Sequence, residues 1–387
     1  MTERSSRSNG AVPRRADVAI AGAGIVGLAH AVEAARRGLS VVVVERDERA
    51  SGASVRNFGH GYVTAQAGDA LEAAVAARAR WLELAQRAGF WLVESGSLLV
   101  ARLPEELAVI TEFADAFEGE AKVIDAAEAR ARAPIAADGV LGALWTPLDC
   151  RVDAREALPA LARWLADEGG VAFRWATNVL GVEPGRMVTS RGEVAAEAIV
   201  LAAGHDLDRL LPDITDAAGV RRCTLQMLRV ASPGDRRVEP ALATGLALLR
   251  YRGFAGCPSL PALRSRLEAE RPDLIAHDVN LLVTQRPDGD LIVGDSHHYS
   301  GTSSPFRDEA VDRLLLDEAS RLLGSGPLEV RERWTGVYAH ARERDFLIAA
   351  PEPGLRAVAV TSGIGMTTAL GLAPRVLDEL LAEASRP

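Results

Sequence analysis

Residues 17–45 read DVAIAGAGIVGLAHAVEAARRGLSVVVVE, and each part of the stretch has a mechanical job in a strand–helix–strand nucleotide site. An apolar run, Val18 to Ala21, leads into Gly22-x-Gly24-x-x-Gly27. Gly22 permits a tight turn out of the strand, Gly24 lets the backbone approach a pyrophosphate, and Gly27 lets the helix pack closely on the strand. The free N–H groups at the helix start, those of Ile25 and Val26 among them, face the phosphate charge. A second apolar run, Val41 to Val44, ends on Glu45, about 20 residues beyond the glycines, where a ribose-binding acid is required. A carboxylate there accepts hydrogen bonds from the ribose hydroxyls and repels a 2′-phosphate. The pattern therefore predicts an adenine dinucleotide and disfavours NADP.

Working outward, 387 residues exceed one ordinary core, so two domains are expected. Hydrophobic residues at 48% and charged residues at 25% are those of a soluble globular chain. The net charge of −9, from 44 basic and 53 acidic residues, argues against a nucleic-acid surface. Cys150, Cys223 and Cys257 are odd in number and widely spaced, which suits neither a disulfide framework nor zinc and points to a reducing compartment. No His/Cys/Asp cluster has ligand spacing, so no metal is expected. No eighteen-residue apolar run escapes polar interruption outside the nucleotide motif, so no membrane span is expected either. The reading is of a cytoplasmic protein, with residues 1–15 a polar, disordered tail.

Three separated segments make up one expected unit: 16–61, 150–211 and 345–387. The second has Asp153 as a helix cap, short strands at Val171–Phe173 and Gly185–Ser190, and an apolar strand closing on Ala203-Gly204. The third runs from a strand, AVAVTSG, through Gly363-Ile364-Gly365-Met366-Thr367-Thr368 into a helix. The intervening segments, 62–149 and 212–344, form a second unit. Residues 70–88 and 104–118 read as amphipathic helices. Short alternating runs at 224–230, 247–251, 279–284 and 290–293 predict an antiparallel sheet with one face covered.

These three motifs, in this order, resemble the D-amino-acid oxidase / glycine oxidase group of FAD-dependent oxidoreductases. The likeness covers the chain from Asp17 onward. SGASVRNFGHGYV after Glu45, RYRGFAGCPS, GDSHHYS and RWTGVYAH resemble a glycine-oxidase-like subgroup linked to bacterial phosphonate catabolism. The resemblance implies an α/β, Rossmann-like FAD-binding domain of glycine-oxidase type, with an α+β substrate domain built on an antiparallel sheet. It implies non-covalent FAD, since no Cys lies near the terminal segment. Gly22, Gly24, Ile25, Val26 and Gly27 would hold the pyrophosphate, Glu45 the ribose, and Arg46 a second adenosine contact. Ser54 and Asn57 would run beside the flavin, Val179 beside adenine, and Ala203 and Gly204 against the cofactor. Gly363, Ile364, Gly365, Met366 and Thr367 would point a helix start at the flavin ring.

The implied reaction is hydride transfer from a neutral amine to the flavin, followed by hydrolysis of the resulting imine, with the protein supplying position and electrostatics. The chain departs from the family at one point. Amino-acid oxidases hold the substrate carboxylate with the arginine of a Gly-x-Arg-Pro string, and here the segment is Gly336-Val337-Tyr338-Ala339. A tyrosine lacks the charge and fork of arginine. The resemblance and this departure imply a small anionic amine, of 2-aminoethylphosphonate type with or without an N-methyl group, oxidised to phosphonoacetaldehyde. Sarcosine- or glycine-like substrates, and a non-catalytic flavoprotein, remain alternatives. Candidate donors to the anion are Arg56, Tyr251, Tyr338, His340 and one of His297 and His298. Adjacent strand residues face opposite ways, and shared parity with Ser296 favours His298. Arg250 and Arg252, flanking Tyr251, read equally as a basic wall or a solvated strand face.

Overall fold

The computed structural model describes residues 15–384, and the predicted tail lies outside them except for Arg15, which opens the first strand. Strand β1 (Arg15–Ala21), helix α1 (Ile25–Arg36) and strand β2 (Val41–Val44) form the expected βαβ unit, with Val18 beside Val41 and Ala21 beside Val44 in parallel register. All four valines of β2 are buried. A continuous apolar run is what a parallel strand covered on both faces requires. Along β1 the faces divide: Val18 and Ile20 pack with α1, while Ala19 and Ala21 join a separate cluster on the opposite side.

Six further strands complete this sheet. Gly192–Leu201 runs parallel to β1 on its other side. It is met in turn by Leu355–Val360 in parallel and by the hairpin Val179–Glu183 and Arg186–Thr189. Val171–Arg174 lies outside β2, and Phe346–Ala349 pairs with Leu355–Val360. All eight come from the three segments read as the nucleotide-binding unit.

The boundary at residue 61 needs correction. Helix Gly68–Ala88, placed in the second unit by sequence, packs on the nucleotide layer through Ala77, Trp81 and Leu84. Its partner is the helix Gly365–Ala384, where a Cβ on Gly371 would lie 2.0 Å from the Ala73 carbonyl oxygen. Trp81 Nε1 donates to the Met366 carbonyl at 2.7 Å. An amphipathic pattern states that a face is covered, not by which neighbour.

The second sheet has nine strands. Arg221–Val230 pairs with Val330–His340 along its length, and Leu291–Gly294, Leu282–Gln285 and Ala241–Thr244 follow antiparallel. Ala241–Thr244 then meets Ser97–Ala101 in parallel, the junction to Gly142–Thr146 and Lys122–Asp125. The expected strand at 247–251 is instead a 3-10 turn, Gly245–Leu249. Leu246, Ala247 and Leu248 are buried consecutively, without alternation. The carboxylate of Glu106 stands so close that a Cβ on Gly245 would be 1.9 Å from Oε1.

Two predictions follow from this packing. A Cβ at Gly27 would sit 1.9 Å from the Gly22 carbonyl oxygen, so Gly27→Ala must push α1 off β1. We expect a loss of about 1–3 kcal/mol in urea unfolding, and an unchanged midpoint would refute the close contact. Burial depresses the His30 imidazole to about 4; burial, aided by the Arg151 charge, depresses His60 to about 3. The folded state therefore binds fewer protons than the unfolded chain between the ordinary value of 6.5 and these lower ones. The stability this confers is complete above pH 6.5 and declines as pH falls through that window. Urea midpoints should fall across it, and His30→Gln should lessen the decline.

Candidate functional site

A cavity of about 480 Å³ lies at the carboxyl ends of β1, β2 and Gly192–Leu201, the position where open parallel sheets take ligands. Its near end is built by the glycine turn. Gly22 has φ +103°, and a Cβ there would lie 2.4 Å from the Ala202 carbonyl oxygen. Gly24 is the N-cap of α1 and leaves room in which a Cβ would come 3.2 Å from Ser54 Oγ. Ser54 Oγ accepts from the Ile25 amide at 2.9 Å, so that N–H, expected to be free for a phosphate, already has a partner within the protein. The buried Glu45 carboxylate accepts from the Ala23 amide at 2.7 Å and the Asp47 amide at 3.1 Å, so it steadies the turn beside the cavity. Arg46 is paired with Asp206, which Arg222 also contacts at 3.1 Å.

Gly22, Gly24, Ile25, Val26, Glu45, Arg46, Ser54, Asn57, Val179, Ala203 and Gly204 all line this cavity. Gly27 does not; it serves the strand–helix contact. The Asn57 side chain is fully engaged in its own loop, donating to the Ala53 and Ser54 carbonyls and accepting from the Gly59 amide. Gly363, Ile364, Gly365, Met366 and Thr367 form another wall, at the start of the helix Gly365–Ala384. Gly363 has φ +81°, a conformation that favours glycine, and a Cβ there would press on the Tyr338 ring, 3.2 Å from its Cζ.

The far end of the cavity is polar. Tyr338 is buried, and its hydroxyl accepts from Arg250 Nη2 at 2.6 Å. Arg250 also donates to the Ser362 carbonyl at 3.4 Å and to the Tyr299 hydroxyl at 3.5 Å. Burial opposes the guanidinium charge, but Tyr338, Tyr299 and Asp278 around it hold it above its ordinary value. Among the described residues no carboxylate lies within 4.0 Å of this cation, although Asp278 and Asp295 are near enough to act on it or be acted on. Asn280, Asp295 and His297, all buried, complete the wall.

Of the substrate-side candidates, Arg56, Tyr251 and Tyr338 line the cavity. Arg56 Nη1 donates to the Thr335 carbonyl at 3.1 Å. The Tyr251 hydroxyl accepts from Asn280 Nδ2 at 3.5 Å, and its ring meets Tyr62 edge-on. His340 stands outside the lining and meets the Tyr299 ring at a 40° tilt, centroids 4.4 Å apart. The choice of His298 is reversed: His298 is exposed, and His297 faces inward. Parity failed because residues 295–297 lie between two strands, Leu291–Gly294 and His298–Ser300, where alternation does not carry across. Arg250 and Arg252 do not share a face. The turn sends Arg250 into the cavity and Arg252 to Asp345 and the Arg342 carbonyl. Asp295 and Asn280 were missed altogether. Asn280 is a single polar residue between Val279 and Leu281, a weak sequence signal, whereas Asp295 opens the polar run Asp295-Ser296-His297-His298, in which the histidines drew the attention.

The sequence matches the family model described as FAD dependent oxidoreductase, over residues 17–378. The chain belongs to this family. Its cofactor is therefore FAD, and the glycine cradle and the wall at Gly363 fit such a group, since side chains there would fill the space. A glycine oxidase of Geobacillus kaustophilus is 31% identical over 217 residues, which cover 51% of this chain and 56% of that enzyme. The match thus spans little more than half of the curated relative. The crystal structure of glycine oxidase from the same organism superposes with a TM-score of 0.76 at 22% identity, covering 95% of each chain. The L-proline dehydrogenase of P. horikoshii gives 0.76 at 21% identity, covering 97% of this chain and 96% of that one. The iminodiacetate oxidase of Chelativorans sp. BNC1 gives 0.69 at 19%, covering 96% and 97%. At these identities the structures speak for the fold.

Glu45→Ala should weaken FAD retention about 10- to 150-fold, corresponding to about 1.5–3 kcal/mol for hydrogen bonds to a charged group. Equilibrium dialysis of the apoprotein measures it, and an unaltered Kd would remove Glu45 from the nucleotide contact.

Proposed function

We propose that this protein oxidises the C–N bond of a small amine carrying an anionic group. When bound, FAD supplies the two-electron oxidant that takes a hydride from the amine carbon. The turn at Gly22, Gly24, Ile25 and Val26 would hold its pyrophosphate, Glu45 its ribose, Val179 its adenine, and Gly363 to Thr367 its ring. Hydrogen-bond donors at that helix start favour the negative charge of the reduced ring. Everything else the chain does is positioning and electrostatics.

Arg250 carries the reading. Its guanidinium bonds directly to neutral hydroxyl and carbonyl groups, and its nearest counter-charge, the Asp278 carboxylate, stands behind the Tyr299 hydroxyl, so its charge is only partly met. An anion on the substrate would meet it more fully. Its place in the cavity would also fix which carbon is presented to the ring. The chemical class we propose for the anion is a phosphonate, as in 2-aminoethylphosphonate or its N-methyl form. The absence of the Gly-x-Arg-Pro arginine at Tyr338 supports it. So do the separate donors of Arg250 and Arg56, which suit three tetrahedral oxygens. A carboxylate is the second reading, supported by the fit of one guanidinium fork to two coplanar oxygens and by the names of the relatives.

The test is anaerobic addition of 2-aminoethylphosphonate, its N-methyl derivative, sarcosine, glycine and an uncharged N-methylalkylamine to the FAD-loaded protein. Bleaching of the flavin band by the phosphonates supports the full proposal, bleaching by carboxylates alone removes the phosphonate, and no bleaching by any amine ends the reading. Arg250→Met should raise the half-saturating concentration of the anionic amine about 100-fold or more, the order seen when one partner of a buried ion pair is lost. The uncharged amine should scarcely change. Arg56→Ala should act in the same direction but more weakly, because its guanidinium is already engaged by Thr335.

A further inference from the structure

An amine that binds as its ammonium must lose a proton before the nitrogen lone pair can assist hydride departure. The cavity holds a group built to take that proton. Asp295 is 4% exposed and lines the cavity, and its Oδ1 has no hydrogen-bond partner. Beside it is Asn280. The two backbones exchange hydrogen bonds, Asn280 N to Asp295 O at 2.9 Å and Asp295 N to Asn280 O at 3.0 Å, so both side chains are placed side by side. Asn280 Oδ1 is likewise buried without a partner.

His297 supplies the second half of the argument. Its Nδ1 lies 2.8 Å from the Asp278 carbonyl oxygen. A carbonyl can only accept, so Nδ1 carries the hydrogen and Nε2 of the neutral ring presents a lone pair. That lone pair faces Asp295 Oδ2 across 3.7 Å, beyond hydrogen-bond length. Two acceptors confront each other, and a proton on Asp295 would convert the confrontation into a bond. Burial keeps His297 itself neutral, depressing it to about 3, so it does not compete for the charge.

We propose that Asp295, backed by the Nε2 lone pair of His297, is the proton acceptor for the substrate ammonium. This rests on the amine-oxidation reading above. The step is balanced: the N–H bond of the ammonium breaks, its electron pair stays on nitrogen, and the proton forms the O–H bond of Asp295, directed at His297. Arg250 works with it, because a fixed positive charge nearby makes a second cation in the cavity easier to deprotonate. The charged and titratable groups that act on Asp295 or feel it are Arg250 at the end of the 3-10 turn, Tyr251 beside it, Asp278 before Asn280, His297 on its own segment, and Cys223 from the strand Arg221–Val230. Burial raises Asp295 to about 7, partly countered by Arg250, which leaves it able to hold or release a proton near neutrality.

The experiment pairs substrate kinetics with a readout that needs no substrate. In anaerobic stopped flow, Asp295→Asn should reduce flavin about 100-fold or more slowly than the parent near neutral pH, the scale of lost general-base catalysis. It should approach the parent in alkaline buffer, where the amine arrives already deprotonated. A merely structural role would lower the rate equally at every pH, and that outcome, or an unchanged rate near neutrality, overturns the proposal. Infrared difference spectra of the substrate-free protein, titrated from about pH 6 to 9, should show a protonated-carboxyl band that Asp295→Asn lacks. Should that variant fail to retain FAD, the parent titration decides alone, and no carboxyl band titrating in that range means the inference is wrong. A parent that no amine bleaches, yet shows this band, would instead point to failure of the functional reading.

Discussion

The contact on which the site depends is that of one helix backbone with one strand backbone. Gly27 lies so near the Gly22 carbonyl that hydrogen is the largest substituent admitted. The approach lets α1 begin directly at the end of β1, with Gly24 as its cap, Ser54 holding its first amide, that of Ile25, and Glu45 holding the Ala23 amide of the turn before it. Loosened by an ångström, the helix start would no longer face the cavity mouth with its positive end. Gly371 repeats the device against Ala73, where the last helix rests on Gly68–Ala88. Two close contacts thus set the height of both helix starts that border the cavity.

At the other end, a buried cation enters from an unexpected place. The family resemblance leads one to look for arginine at the position of Tyr338, in the middle of a long strand. Here the guanidinium comes from residue 250, at the end of a turn in a different part of the sheet, and its Nη2 lies 2.6 Å from the tyrosine hydroxyl. The tyrosine therefore fixes a charge it does not carry. A guanidinium reaching in from a turn approaches the cavity from another direction than one carried in the middle of that strand would. This is the structural reason to expect a changed substrate from a kept fold.

Much of the fold was legible because its signals are local and redundant. Glycine spacing, the valine run and the terminal acid occupy 29 residues, 17 to 45, and all three sheet segments were read in their true order. The residues at the near end of the cavity were legible for the same reason. Those at its far end were not, because they meet only through the tertiary fold. Arg250 was read on a strand that is a turn, and the continuous apolar run before it gave no period to distinguish the two. His297 and His298 were separated correctly by face but assigned the wrong way round, since no alternation survives the break between two strands. The placement of Gly68–Ala88 failed differently: its pattern is genuine, but periodicity names no partner.

The polar wall makes sense as a set of opposed demands in a small volume. Arg250 has its nearest carboxylate, Asp278, behind the Tyr299 hydroxyl, Asp295 is nearly cut off from water, and His297 is held neutral with its lone pair turned towards that acid. Each alone would destabilise the fold, because a buried polar group without its partner costs on the order of 1–3 kcal/mol. On the proposed reading the substrate would be negative at one end, to meet the guanidinium, and would carry a removable proton at the other. A zwitterionic amine would then satisfy both demands at once, whereas a neutral amine or a simple anion would satisfy only one. Selectivity would then come from the unmet half, since a ligand lacking either charge leaves a buried group unpaired.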